Sequence, residues 1–316
     1  MKIAKAAVIG VGSWGKNHAR VYHELPNAKL VGVFDMNKDR ASIIAKQYNA
    51  KTYDSITNLL NDEEIEIISI ATPTTTHADI ALQAIENGKS ILIEKPMTST
   101  IEEAEKVIDA EKSADVIVTI GFIERFNPII QRSKSLITDK ELGDLVLISA
   151  RRLGPFWPDR LKDVDVIRDV SIHDIDAFRY LAGREPINLY ARGGKLRHVY
   201  YDYSEILLDF GDGITGFIES NYLTPHKYRR LMLTCERGIV EADYIKQEYI
   251  VEDAEWLRKR KAEKKEPLKE ELNEFITAHL EKRKPLVTSE DGIKALKIAL
   301  ASIESIETHK VIYLNL

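Results

Sequence analysis

The chain has 316 residues, 44% of them hydrophobic and 30% charged, which is more than one core comfortably holds and far from the composition of a disordered segment. Its 45 basic and 50 acidic side chains give a formal net charge of −5, and without a long basic run this excludes a nucleic-acid partner held by bulk charge. A single cysteine, Cys235, no leader-like start and no 18-residue apolar span point to a cytoplasmic protein without disulfides or membrane association.

The first predicted strand, 6–9, runs into GVGSWGKNHARVY, where Gly10, Gly12 and Gly15 form a GxGxxG pattern between a strand and a helix. Gly10 permits the tight turn, Gly12 lets backbone approach a pyrophosphate, and Gly15 lets the helix pack close to the strand. Ser13 and Trp14 lie inside the same loop. A second strand, 30–34, ends in Asp35, 20 residues beyond Gly15, the spacing of a carboxylate that binds the adenosine ribose. Such a carboxylate repels a 2′-phosphate, so NAD is the expected cofactor. Lys38 and Arg40 follow closely and keep NADP as the alternative.

Strands predicted at 65–71, 90–94 and 116–122 alternate with helical stretches such as 77–87 and 101–112, which implies a parallel sheet. Ligands collect outside the carboxyl ends of such strands. There stand ATPTTTH, 71–77, with Thr72, Pro73 and His77, and the run Glu94-Lys95-Pro96. Of these, Thr72, Pro73, His77, Glu94 and Lys95 join Gly10, Gly12, Ser13, Trp14, Gly15 and Asp35 as candidates for cofactor binding. A plain Glu94–Lys95 salt bridge is less natural, because adjacent strand residues point to opposite faces. Pro96 stiffens the turn so that Lys95 leaves the sheet.

A second organisation begins at 123. Strands are predicted at 145–153, 187–195, 204–210, 214–223, 230–236, 238–244 and 247–251, joined by short turns such as Gly211-Asp212-Gly213. The expected fold class is therefore α/β: a Rossmann domain with a parallel sheet, 1–122, then an α+β domain with a large, mostly antiparallel open sheet, 123–316. RKRKAEKKE, 258–266, reads as a solvated loop or helix face. Helical periodicity covers 269–282 and 289–307, and one of these helices is expected to pack back on the first domain. In RDVSIHDIDAFRYLAG, 168–183, Asp169, His173 and Asp176 stand four and three apart and share one helix face. An imidazole with an ordinary pKa near about 6.5 beside a carboxylate suits proton transfer. Asp174 and Arg179 read as surface or salt-bridge residues, and no metal site is expected.

GVGSWGKNH, ATPTTTH, GKSILIEKP, GFIERFNP and the Asp169–His173 spacing together resemble the oxidoreductase family of glucose-fructose oxidoreductase, inositol 2-dehydrogenase and the rhizopine-catabolism proteins (Gfo/Idh/MocA). The resemblance implies an NAD(P)-dependent dehydrogenase acting on CH–OH groups, with Lys95, Asp169 and His173 as the catalytic set. It also implies a homo-oligomer, dimer or tetramer, assembled through the second domain's sheet. RRLGPFWPDR, DVSIHDIDAFRYLAG and NYLTPHKYR look most like prokaryotic UDP-N-acetylglucosamine 3-dehydrogenases, which implies a nucleotide-sugar substrate oxidised at C3. On that reading Arg151, Arg152, Trp157, Arg160, Lys227 and Arg229 supply anion contacts and a stacking surface. Two alternatives stand beside it: a dehydrogenase of a free sugar or polyol such as inositol, and a dinucleotide-sensing regulator without turnover. Retention of Lys95 and His173 argues against the regulator.

Overall fold

Apolar runs of the chain sort into two sheets in the computed structural model, which describes residues 2–155 and 164–316. Trp157 and Arg160 lie outside the described residues. Two units result, Met1–Phe122 with Leu268–Ile293, and Ile123–Pro267 with Lys294–Leu316.

In the first unit six parallel strands, β1 (Ala4–Ile9), β2 (Ala28–Phe34), β3 (Lys51–Thr52), β4 (Ile67–Ile70), β5 (Ser90–Ile93) and β6 (Val118–Ile120), form a sheet in the order β3-β2-β1-β4-β5-β6. They alternate with α1 (Gly15–Glu24), α2 (Lys38–Tyr48), α3 (Ile56–Leu60), α4 (His77–Glu86) and α5 (Ile101–Lys112). Every residue of β4 and β5 is buried, as befits strands covered on both faces, which read as continuous apolar runs. Burial of an isoleucine such as Ile67, Ile68 or Ile70 contributes about 1.5–3 kcal/mol. Local signals start the helices: Asn37, Ser55 and Thr100 each accept a backbone N–H at the first turn of α2, α3 and α5, and Thr100 with Glu103 closes a capping box. Strand order reverses direction between β1 and β4, so the crevice at their carboxyl ends is the place this topology reserves for a ligand.

The second unit holds α6 (Pro128–Thr138), β7 (Leu145–Leu153), a π-helical turn over Ile167–Ser171, α7 (Ile172–Ala182), β8 (Asn188–Gly194), β9 (Tyr203–Asp209), β10 (Thr215–Asn221), β11 (Tyr228–Cys235), β12 (Gly238–Asp243), β13 (Glu248–Asp253) and β14 (Leu257–Lys261). After α8 (Pro267–Glu281) and α9 (Ser289–Thr308), β15 (Ile312–Tyr313) completes a sheet of order β14-β13-β12-β11-β7-β10-β9-β8-β15. β7 and β10 run parallel; the other neighbours are antiparallel. Burial alternates along β9 and β10, the mark of a sheet covered on one face only. Gly216 of β10 lets Phe178 of α7 approach, since a Cβ there would lie 2.8 Å from the ring. The β9–β10 hairpin turns at Gly211, Asp212 and Gly213, with φ of 75°, 49° and 81°, a region that glycine adopts at no steric cost and aspartate tolerates. Behind β8, Ser305 of α9 accepts the Ala191 N–H at 2.9 Å.

The segment Leu268–Ile293 belongs with the first unit, where Thr119 Oγ1 donates to the Val287 carbonyl at 2.8 Å and His279 Nδ1 pairs with Ser90 Oγ at 2.9 Å. Two expectations are corrected. Residues 257–261 form an edge strand paired with β13 rather than a loop or helix; all five are exposed, and an edge of lysines and arginines has no apolar alternation to announce it. The stretch around Asp169 is a π-turn rather than a continuous α-helix, which alters the face-sharing expected from α-helical spacing. Among the described residues no helix is long and apolar enough to cross a membrane.

Candidate active site

At the carboxyl end of β1, Gly10 has φ 86°, and a Cβ there would come within 2.7 Å of the Ala71 carbonyl oxygen. Bare backbone is therefore what lets the loop lie against the end of β4. A Cβ on Gly15 would collide with the Gly10 carbonyl, so glycine is what seats α1 with its N-terminal amides at the sheet end. Gly12 differs: the nearest atom to its notional Cβ is Arg40 Nη1, at 3.7 Å, which leaves the loop open on that side. Asp35, at the end of β2, accepts Val11 N at 2.9 Å and Asn37 N at 2.8 Å. Arg40 Nη1 lies 3.3 Å from the same carboxylate. These features, a glycine cradle that a Cβ would fill and a fixed carboxylate beside it, fit a dinucleotide.

The loops after β4 and β5 are tied from behind. The buried His77 ring pairs with the Pro96 carbonyl through Nδ1 and the Thr72 carbonyl through Nε2, both at 3.0 Å. Burial pushes its pKa below the ordinary value, outweighing those carbonyls and the charge of Glu94. Glu94 turns inward: its Oε1 accepts Trp14 Nε1 at 2.6 Å and meets His18 Nε2 at 3.0 Å, while Oε2 accepts the Lys95 N–H at 3.3 Å. Burial alone would raise the Glu94 pKa; His18, the Lys95 charge and Trp14 overturn that and hold it low. The chain of bonds continues from His18 Nδ1 to Ser69 Oγ at 3.1 Å and on to the Tyr22 hydroxyl at 2.8 Å. Gly121 completes the pocket for the carboxylate, for a Cβ there would sit 3.0 Å from it. Lys95 follows at the strand end, half-buried, and its peptide bond to Pro96 is cis. Ser13 and Pro73 are exposed, Trp14 36% so. His18, which lies in the quoted GVGSWGKNH stretch, was not singled out by sequence; nothing in its spacing signals a buried partner 76 residues away.

In the second unit, Asp169 lies in the π-turn and His173 in the first turn of α7, both half-buried. Tyr222, just beyond β10, donates its hydroxyl to Asp169 Oδ2 at 2.5 Å. Asp176 does not join them: it is buried and takes Arg125 Nε and Nη2 at 2.8 and 2.6 Å. Asp174 is an ion-pair residue but no surface one, fully buried against Arg152 at 2.7 and 2.8 Å. Arg152 also donates to Glu124 at 2.6 Å and lies over the Tyr244 ring at 4.9 Å. Its guanidinium is thus committed to two carboxylates inside the unit, unlike the anion contact expected of it. Arg151 points to the other face of the sheet, where Glu219 holds it at 2.5 Å. Lys227 is exposed. Arg229, half-exposed, reaches Glu124 at 3.5 Å; burial and the neighbouring Arg152 lower its pKa, against the pull of Glu124, Asp174 and Asp169.

Residues 4–122 match the sequence model of the "Oxidoreductase family, NAD-binding Rossmann fold", and residues 130–241 that of the "GFO/IDH/MocA C-terminal domain". The chain belongs to this family and is an NAD-binding Rossmann oxidoreductase. Among its relatives are UDP-N-acetylglucosamine 3-dehydrogenase of Acidithiobacillus ferrooxidans, 32% identical over 241 residues covering 76% of this chain and 74% of that one, and scyllo-inositol 2-dehydrogenase (NAD(+)) of Bacillus subtilis, 32% identical over 233 residues, 70% and 68% of the two chains. The solved structure of the Acidithiobacillus enzyme superimposes with a TM-score of 0.89 at 29% identity, over 98% of this chain and 99% of that one. Levoglucosan dehydrogenase in complex with NADH and levoglucosan shares the fold, with a TM-score of 0.92 at 20% identity over the full length of both chains.

Proposed function

We propose that the chain is a cytoplasmic NAD-dependent dehydrogenase of a secondary alcohol on a sugar, with a nucleotide sugar such as UDP-N-acetylglucosamine, oxidised at C3, as the first substrate to try. Gly10, Gly12, Ser13, Trp14, Gly15, Asp35, Thr72 and Pro73 hold the dinucleotide, and Glu94 and His77 fix the loops that carry them. A dinucleotide held there would supply its nicotinamide as the hydride acceptor. A ring nitrogen of His173 takes the hydroxyl proton, Asp169 holds the imidazole, and Lys95 Nζ orients the substrate oxygen and stabilises its developing negative charge. The choice of substrate is supported by Arg229, a half-exposed cation whose contact with Glu124 is 3.5 Å long, a group suited to an anion on the substrate. The 32% identity to the UDP-N-acetylglucosamine enzyme supports it. A free polyol is the second reading, favoured by the equal identity to the scyllo-inositol enzyme.

The chain is also proposed to assemble with copies of itself through the uncovered face of the nine-stranded sheet, where Tyr203, Leu207, Tyr228 and Met232 are exposed; light scattering on wild type and Met232→Asp tests this, and a monomeric wild type refutes it. Reduced-nicotinamide absorbance, followed with NAD or NADP against UDP-sugars, free sugars and inositols, tests the activity. Turnover of UDP-N-acetylglucosamine with competition by UDP supports the first reading; turnover of inositols alone replaces it with the second.

A further inference from the structure

Tyr222 stands where β10 ends, its backbone N–H bonded to the Asp202 carbonyl at 2.9 Å and its side chain buried, 8% exposed. A phenylalanine would fill the same space without needing a partner for a buried hydroxyl. The hydroxyl has a partner: it donates to Asp169 Oδ2 at 2.5 Å. The π-turn holds Asp169 through its backbone, N–H to the Asp165 carbonyl at 2.9 Å, while the Asp165 side chain is engaged by Ile167 N, Arg168 N and Arg168 Nε. On the Asp169 side chain, Tyr222 from another element supplies a neutral donor that orients the carboxylate and draws on its charge.

We propose that Tyr222 is a positioning residue for the oxidation: its hydroxyl fixes the rotamer of Asp169 and reduces the basicity that this carboxylate lends to the His173 imidazole. The inference rests on the assignment of Asp169 and His173 to the reaction made above. The charged groups set around this stretch among the described residues include Arg229 on β11, Arg152 on β7, Glu124 ahead of α6, Asp174 on α7, and Asp165 and Arg168 beside and within the turn. All of them are retained in Tyr222→Phe, so a changed titration belongs to the hydroxyl.

The test is a histidine NMR titration of the full-length protein, with the His173 signal assigned by His173→Gln. Loss of the donor leaves Asp169 more negative toward the ring, so Tyr222→Phe is expected to raise the His173 pKa by about half a unit. The other histidines should stay in place. In an Asp169→Asn background the same substitution should move nothing, because the path through Asp169 is already cut. With an alcohol that turns over, the acid limb of the kcat profile should shift upward by the same amount, with little change in KM. An unmoved His173 in Tyr222→Phe, or an equal shift in the Asp169→Asn background, overturns the proposal. Failure of every alcohol to turn over would count against the assigned reaction, while the titration would still decide the role of Tyr222.

Discussion

Lys95 is set apart from its neighbour by where each side chain goes. Glu94 turns inward to Trp14 and His18, so the two are not a self-contained surface pair, and Lys95 follows half-buried at the strand end. Lys95→Ala is expected to weaken NAD binding, measured by fluorescence titration, and to lose at least about 100-fold in kcat. His173→Ala should lose a similar factor if it is the base; near-normal turnover by that variant would pass the base role to Lys95. At the other end of the cofactor, Asp35 carries Arg40 at 3.3 Å, a cation able to receive a 2′-phosphate. Asp35→Ala should therefore weaken NAD and bring the KM values for NAD and NADP together, and an unchanged ratio would show that another group reads the ribose. The glycines and Asp35 were legible because their spacing is local. The partners of Glu94 were not, because Trp14 and His18 lie 80 and 76 residues away.

Helix α7 shows how an element is aimed by what it buries. Asp174 and Asp176 lie on its inner side, held by Arg152 and Arg125, and this pinning decides where His173 emerges. Sequence periodicity gave the helix but made Asp176 a companion of Asp169; the buried arginine from the turn before α6 claims it instead. Arg152→Met is expected to destabilise the fold by about 3–5 kcal/mol, since it strands Asp174 and Glu124 as buried charges. Denaturant unfolding measures this, and a cost below about 1 kcal/mol would show that the network matters little. The edge strand β14 was illegible for a different reason. Its five residues are exposed, so only pairing with β13, a contact between backbones, identifies them as a strand.

Across the whole molecule, buried ionisable groups set how stability responds to pH. His77 has a folded pKa below its ordinary 6.5, so its contribution is present above that value and is lost as pH falls through the window beneath it. Glu94 and Glu124 are held below the ordinary 4.5, so theirs is present above that value and is lost on further acidification. The urea midpoint should accordingly fall in two stages. His77→Gln should shrink the first, with His279, also pushed down by burial, keeping part of it. Parallel curves for wild type and His77→Gln between pH 7 and 5 would remove His77 from the account.

The sequence by itself determined the parallel sheet and its nucleotide loop, because continuous apolar runs, glycine spacing and helix caps act over one or two turns of chain. It determined the open antiparallel sheet as well, through alternation and hairpin glycines. Only the tertiary structure decided that Glu94 faces inward, that Arg152 is spent on two carboxylates, that a π-turn carries Asp169 and that Tyr222 holds it. Each of these depends on which groups meet across tens of residues in a place without water, where a charge or hydroxyl must find a partner, and no periodicity along the chain encodes that meeting.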